Sequence, residues 1–83
     1  MSECLLTSRG ETRARLMLGE LTRKGVRASI RRLPQELARD GCAHAVSVAS
    51  NERDHALYIL KLAGFPPRRV YCVSGGAWRE VRA

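Results

Sequence analysis

Eighty-three residues are enough for one domain and exclude a second. A hydrophobic share of 45% excludes wholesale disorder. Fifteen Lys and Arg against eight Asp and Glu leave a formal charge of +7, which favours nucleic acid, an acidic protein face or a small anion as partner, or serves solubility alone.

Cys4-Leu5-Leu6-Thr7 is a short apolar run and predicts a buried first strand. Ser8-Arg9-Gly10-Glu11 reads as a capping box, in which the serine hydroxyl and glutamate carboxylate take up free amides of a first helical turn. The helix that follows carries Ala14, Met17, Leu18 and Leu21 at i, i+3, i+4 and i+7, with Arg13, Glu20 and Lys24 away from that stripe. Gly25 is placed to cap it in the left-handed conformation. From Val26 to Leu33 the chain alternates, Val26, Ala28 and Ile30 one way and Arg27, Ser29 and Arg31 the other, as a half-buried strand does. Pro34 ends it, because proline has no amide to give to a ladder. Residues 34–41 hold room for one helical turn between a proline and a glycine, and residues 44–49 form the third strand.

A second helix is predicted from Ser50 or Asn51, either of which can cap it, with Glu52 and Asp54 in the first turn where negative charge suits the dipole. Ala56, Ile59, Leu60 and Ala63 make its buried stripe, Gly64 caps it, and Pro66-Pro67 prevents continuation. Val70-Tyr71-Cys72-Val73 is read as the last strand. Gly75-Gly76 then releases residues 75–83 as a short C-terminal tail carrying Trp78.

Leu18, Leu21, Gly25 and Val26 recur as Leu57, Leu60, Gly64 and Phe65, each thirty-nine positions on. The repeated unit is a helix, a glycine cap and the start of a strand. Two such halves predict that residues 1–74 form an α+β, ferredoxin-like βαββαβ two-layer sandwich. Its four-stranded antiparallel sheet has the order 4-1-3-2, with both helices on one face. Strands two and four are then edges, where Arg27, Arg31, Arg32, Arg68 and Arg69 discourage unwanted pairing.

In that topology the connection between the second and third strands returns to the end at which the first helix starts. Cys42 closes the connection and is expected near Ser8, Arg9 and Gly10. Free amides and partial positive charge at a helix start favour thiolate. Arg9, Arg39 and Arg68 add positive charge at the same end, and Asp40 opposes it. His44 shares a face with Cys42 if the strand extends back to it. A Cys–His pair activates a thiol, while the alternative is a solvent-facing histidine at a strand start. Cys42 itself reads either as a nucleophile or sulfur or selenium carrier, or as a small buried hydrophobe. Cys4 and Cys72 fall on neighbouring strands, where packing is the expected role and a disulfide is not expected in a reducing compartment.

Three cysteines with no C-x-x-C pair, and His44 and His55 without ligand spacing, point away from a secreted disulfide framework and from a zinc site, so no metal and no cofactor is expected. The N-terminus carries no long apolar run or cleavage site, and no stretch approaches the ~20 apolar residues of a membrane span. The expectation is a cytoplasmic chain without a membrane partner. No Ser-His-Asp arrangement, paired carboxylates or phosphate-binding glycine loop is recognisable, so a self-sufficient catalyst is not expected.

Pro34-Gln35-Glu36-Leu37, then Gly41-Cys42, then Ala45-Val46-Ser47-Val48 together resemble the selenium/sulfur carrier-like family of small bacterial domains. Gly25-Val26 after the first helix and the pattern Ala56-Leu57-x-x-Leu60-x-x-Ala63-Gly64 in the second are similar to that family too. The resemblance implies a ferredoxin-like fold and a thiol, falling on Cys42, that hands on sulfur or selenium. Ala43 stands where the family has glycine, and Gln35 where it has a basic residue.

Three functions follow in order. First is a carrier, in which Cys42 accepts a persulfide or selenide equivalent from a donor protein and passes it to an acceptor, with the arginines steering acidic partners. Second is a non-catalytic adaptor or homodimer that uses the open sheet face or an edge strand, with Trp78 on a Gly-Gly hinge as anchor. Third is nucleic-acid binding on the open sheet face, where Tyr71 is the one plausible sheet aromatic.

Overall fold

The computed structural model describes residues 2–38 and 43–82. In chain order the elements are β1 (Glu3–Ser8), α1 (Glu11–Arg23), β2 (Ala28–Arg32), a 3-10 turn (Gln35–Leu37), β3 (His44–Ala49), a second 3-10 turn (Ser50–Glu52), α2 (Arg53–Ala63), β4 (Val70–Ser74) and β5 (Ala77–Val81). The α+β class expected from the sequence holds. The sheet has five strands in the order β2-β3-β1-β4-β5, and every neighbouring pair is antiparallel.

The expected sheet had four strands, with β4 at an edge and residues 75–83 as a tail. Instead Ala77–Val81 is a fifth strand beyond β4, so β2 and β5 are the edges and β4 is internal. The cause lies in Gly75 and Gly76, whose φ values are 59° and 81°. Positive φ at both central residues makes a two-residue turn whose twist matches that of the strands it joins. The chain therefore folds straight back, setting Ser74 opposite Ala77, Val73 opposite Trp78 and Val70 opposite Val81. A pair read as a release is a hairpin turn.

Both helices lie on one face of the sheet. Cys4, Leu6, Val46, Val48 and Val70 alternate onto that face and meet Ala14, Met17 and Leu21 of α1 and Ala56, Ile59 and Leu60 of α2. Full burial of a leucine or valine contributes about 1.5–3 kcal/mol, so this layer dominates stability. The two helices end alike. The Val26 amide donates to the Leu21 carbonyl and the Phe65 amide to the Leu60 carbonyl, both at 2.9 Å, across glycines with φ of 85° and 84°. This is one Schellman closure made twice, and it accounts for the repeat in the sequence.

The helix starts differ from the expected ones. No capping box forms at α1. Ser8 belongs to β1, and its hydroxyl donates to the Gly10 carbonyl at 2.8 Å, while the Glu11 carboxylate accepts from Arg15. Extended Gly10 is the cap residue and supplies no side chain. At α2 neither Ser50 nor Asn51 caps the helix; both lie in the 3-10 turn that leads into it, and no side-chain cap bond is made.

The other face of the sheet, expected to be open, carries a second apolar cluster of Leu5, Leu33, Leu37, Ala45 and Tyr71, with Trp78 packed against it. Leu33 and Leu37 belong to the first part of the β2–β3 connection, residues 33–38, and cover that face. Cys4 and Cys72, which stand opposite each other in the β1–β4 register, are joined by a disulfide with a Cα–Cα distance of 4.1 Å. The expectation of two unbonded thiols is corrected. It rested on a presumed reducing compartment, whereas direct cross-strand opposition brings the two sulfurs within bonding reach. Among the described residues no helix is long and apolar enough to cross a membrane.

Candidate functional site

Three strands stop or start together at one end of the sheet. Register places Ser8, the last residue of β1, opposite His44, the first of β3, and His44 opposite Arg32, the last of β2. The Leu33 amide donates to the Ala43 carbonyl at 2.9 Å, closing the described flanks of the β2–β3 connection at this same end. Buried Thr7 ties a further segment here. Its amide donates to the Arg69 carbonyl, its carbonyl accepts from the Arg68 amide, and its Oγ1 accepts from the Arg69 amide, all at 2.9–3.0 Å. The approach to β4 is thereby held against the end of β1, and Arg68 is set beside Arg9.

The result is a cleft of about 290 Å³ lined by Ser8, Arg9, Arg13, Pro66 and Arg68. Arg13 projects from the first turns of α1 and lies over the Phe65 ring, 5.6 Å from its centroid. A second cleft of about 510 Å³ adjoins it through Arg68 and is lined as well by Arg69, Glu80, Val81 and Arg82. Arg69 pairs with Glu80 at 2.9 Å. Among the described residues no carboxylate pairs with Arg9, Arg13, Arg68 or Arg82. Glu11 does not neutralise them, because Arg15 engages it. That hydrogen bond and the charge of Arg15 hold the Glu11 carboxyl below its ordinary value, with a smaller contribution from His44.

Of the residues singled out in the sequence, Ser8, Arg9 and Arg68 meet in the first cleft. Gly10 follows Arg9 in the chain as the α1 cap and is not in the lining, and half-buried His44 stands across from Ser8. Cys42 and Arg39, with Asp40 and Gly41 between them, lie outside the described residues. Trp78 is not part of this end. It packs on the far sheet face, where the Arg31 guanidinium lies 5.8 Å from its ring centroid. Sequence reasoning passed over Arg13 and Arg82. Arg13 was legible as a basic residue off the apolar stripe near the start of α1. Arg82 joins the site only through β5, which was read as a tail.

Two other surface features are less suited to chemistry. A wide, open depression of about 640 Å³ at the opposite end of the sheet is lined by Glu3, Thr22, Gly25, Arg27 and Ser47 among others, and its one carboxylate, Glu3, is already engaged by Arg31 and Ser47. A groove between the helices brings Lys24 and His55 beside Tyr58 and Leu62. Compared with protein-family models, with curated proteins and with solved structures, the chain finds no match in any of the three.

Proposed function

We propose that this chain is a small carrier that uses the Cys42 thiol to accept sulfur or selenium from a donor protein and deliver it to an acceptor. We further read its first four strands and two helices as a ferredoxin-like unit of the selenium/sulfur carrier-like kind. The observation that supports the reading is the placement of the two flanks of the Cys42-bearing connection. Leu33 and Ala43 are bonded to each other at the end of the sheet where α1 begins and where, among the described residues, Arg9 and Arg68 have no carboxylate partner. Positive potential there favours thiolate over thiol and stabilises an anionic persulfide in the same way. Cys4 and Cys72 are bonded to each other, so thiol chemistry falls to Cys42. In the transfer the Cys42 sulfur attacks the outer sulfur of a donor persulfide, and the donor cysteine leaves as thiolate. No general acid or base of the chain is required, so the protein acts as a carrier rather than a self-sufficient enzyme.

Alkylation of the native protein against pH tests this. Cys42 is expected to react with a midpoint below the ~8.5 of an ordinary cysteine. Intact mass after isolation without reductant is expected to show a fraction carrying one added sulfur or selenium atom. Cys42 reacting no faster than a free thiol at neutral pH, with no such increment, counts against the proposal.

A second reading, an adaptor or homodimer, is favoured by the helix layer rather than by the sheet face. Leu16, Tyr58 and Leu62 are 49%, 62% and 70% exposed, unusual for large apolar side chains on one layer of so small a domain. Molecular mass in solution, compared with that of Leu62→Glu, decides it: a monomer in both cases removes the homodimer.

A further inference from the structure

We infer that the two joined clefts at the β1–α1 end form a groove for the phosphate backbone of single-stranded nucleic acid, a binding function that shares Arg9 and Arg68 with the proposed carrier site but does not require the Cys42 thiol.

Charge placement carries the inference. Arg9, Arg13, Arg68 and Arg82 line two recesses that share Arg68, and none of the four has a carboxylate partner among the described residues. The one acid in the lining, Glu80, is engaged by Arg69. Elsewhere the guanidiniums of Arg15, Arg23, Arg31 and Arg53 are each satisfied by a carboxylate. Arg27, Arg32 and Arg79 also have no carboxylate partner among the described residues, but they lie outside the two recesses, where four such guanidiniums are gathered. A lone anion needs only one recess. Two recesses bridged by a shared arginine suit a linear ligand with an anion at every unit, and the guanidinium fork matches phosphate oxygens in pairs.

Shape selects the single strand. The recesses are concave, no helix or ribbon among the described residues lines them as a projection into a duplex groove, and a basic groove that tracks the backbone is how single strands are held without sequence preference. Base stacking does not add to it. Tyr71 is only 4% exposed, and Trp78 is occupied on the other face by Arg31. Binding therefore rests on phosphate contacts, is indifferent to sequence, and falls steeply with salt. It differs from sheet-face recognition, which the second apolar cluster precludes.

The experiment is fluorescence anisotropy of a labelled twenty-base oligothymidylate titrated with the whole chain at several KCl concentrations. Four phosphate contacts to a single strand predict a log–log salt slope of about −3. Arg68→Ala, at the junction of the clefts, is expected to weaken binding about tenfold and to make the slope shallower by about 0.7, and Arg9→Ala and Arg82→Ala to act in the same direction. Arg27→Ala and Lys61→Ala, which remove the same charge elsewhere, are expected to change affinity far less. Cys42→Ser is expected to bind as the parent does, which keeps this result independent of the carrier proposal. The inference is overturned by no binding at about 50 mM KCl, or by control variants that lose as much as Arg68→Ala. Equal competition by a polyglutamate peptide of matched charge overturns it too, because that result assigns the groove to an acidic protein segment.

Discussion

The Arg31 guanidinium lies over the Trp78 ring although the two residues belong to β2 and β5, opposite edges of a five-stranded sheet. Both side chains lean across the far face, above Leu5, Ala45 and Tyr71. Arg31 is also held by both oxygens of Glu3, and Ser47 donates to the same carboxylate. The two edges are thus linked over a small second core to which neither α1 nor α2 contributes. This arrangement makes the last hairpin part of the domain.

The β4–β5 hairpin is accordingly expected to support stability. Trp78→Ala removes apolar area and a cation–π contact and should cost about 2–4 kcal/mol in urea unfolding. Gly76→Ala, which forces a side chain into the left-handed region at φ 81°, should cost about 1–2 kcal/mol. Removal of residues 75–83 should lower the melting temperature and promote association, because it uncovers an edge of β4. A truncated chain as stable as the parent would mean that β5 is dispensable.

The Cys4–Cys72 bond closes a separation of 68 residues, for which chain-entropy reasoning gives about 4 kcal/mol of stabilisation. Protein isolated without reductant should take up one alkyl group per chain when unfolded in urea, and three after reduction. Thermal melts should show a clear fall in Tm with reductant, and Cys72→Ser should show the lower value with or without it. Three alkyl groups in urea without reductant would show that the bond does not form.

Glu3 gives the acid limb of stability a specific cause. Burial acts to raise its carboxyl pKa, but the hydrogen bonds from Ser47 and Arg31 and the charge of Arg31 outweigh this and hold it below its ordinary value. A carboxylate lowered in the folded state stabilises fully above the unfolded value of about 4.3, and that stabilisation is lost as pH falls through the folded value. Unfolding followed from pH 6 downward should therefore show a loss below about pH 4 that Glu3→Gln reduces. Parallel acid limbs for the two proteins would remove Glu3 as the cause.

Much was legible from local pattern alone. The repeat around Gly25 and Gly64 is local, because a helix closure depends on six consecutive residues and on one glycine able to take positive φ. The apolar stripes of α1 and α2 and the third strand at residues 44–49 follow from periodicities of 3.6 and 2. The gathering of Ser8, Arg9 and Arg68 followed from topology once the elements were in order, and Thr7 supplies the hydrogen bonds that hold it.

Other features were decided between residues far apart in the chain. Gly75-Gly76 permits a turn or a tail equally well, and the choice fell to β5 because Val81 adds to the helix-side core while Trp78 adds to the far-side cluster. Cys4 and Cys72 are ordinary apolar positions in two separate strands until register sets them face to face. Arg82 is a terminal charge until β5 carries it to Arg68. Backbone conformation, caps and amphipathic faces belong to the sequence by itself, because their energies arise between neighbours. Pairing register, sheet edges and the joining of charges into a groove belong to the tertiary structure, because each depends on contacts that exist only after distant segments have paid their ordering entropy together.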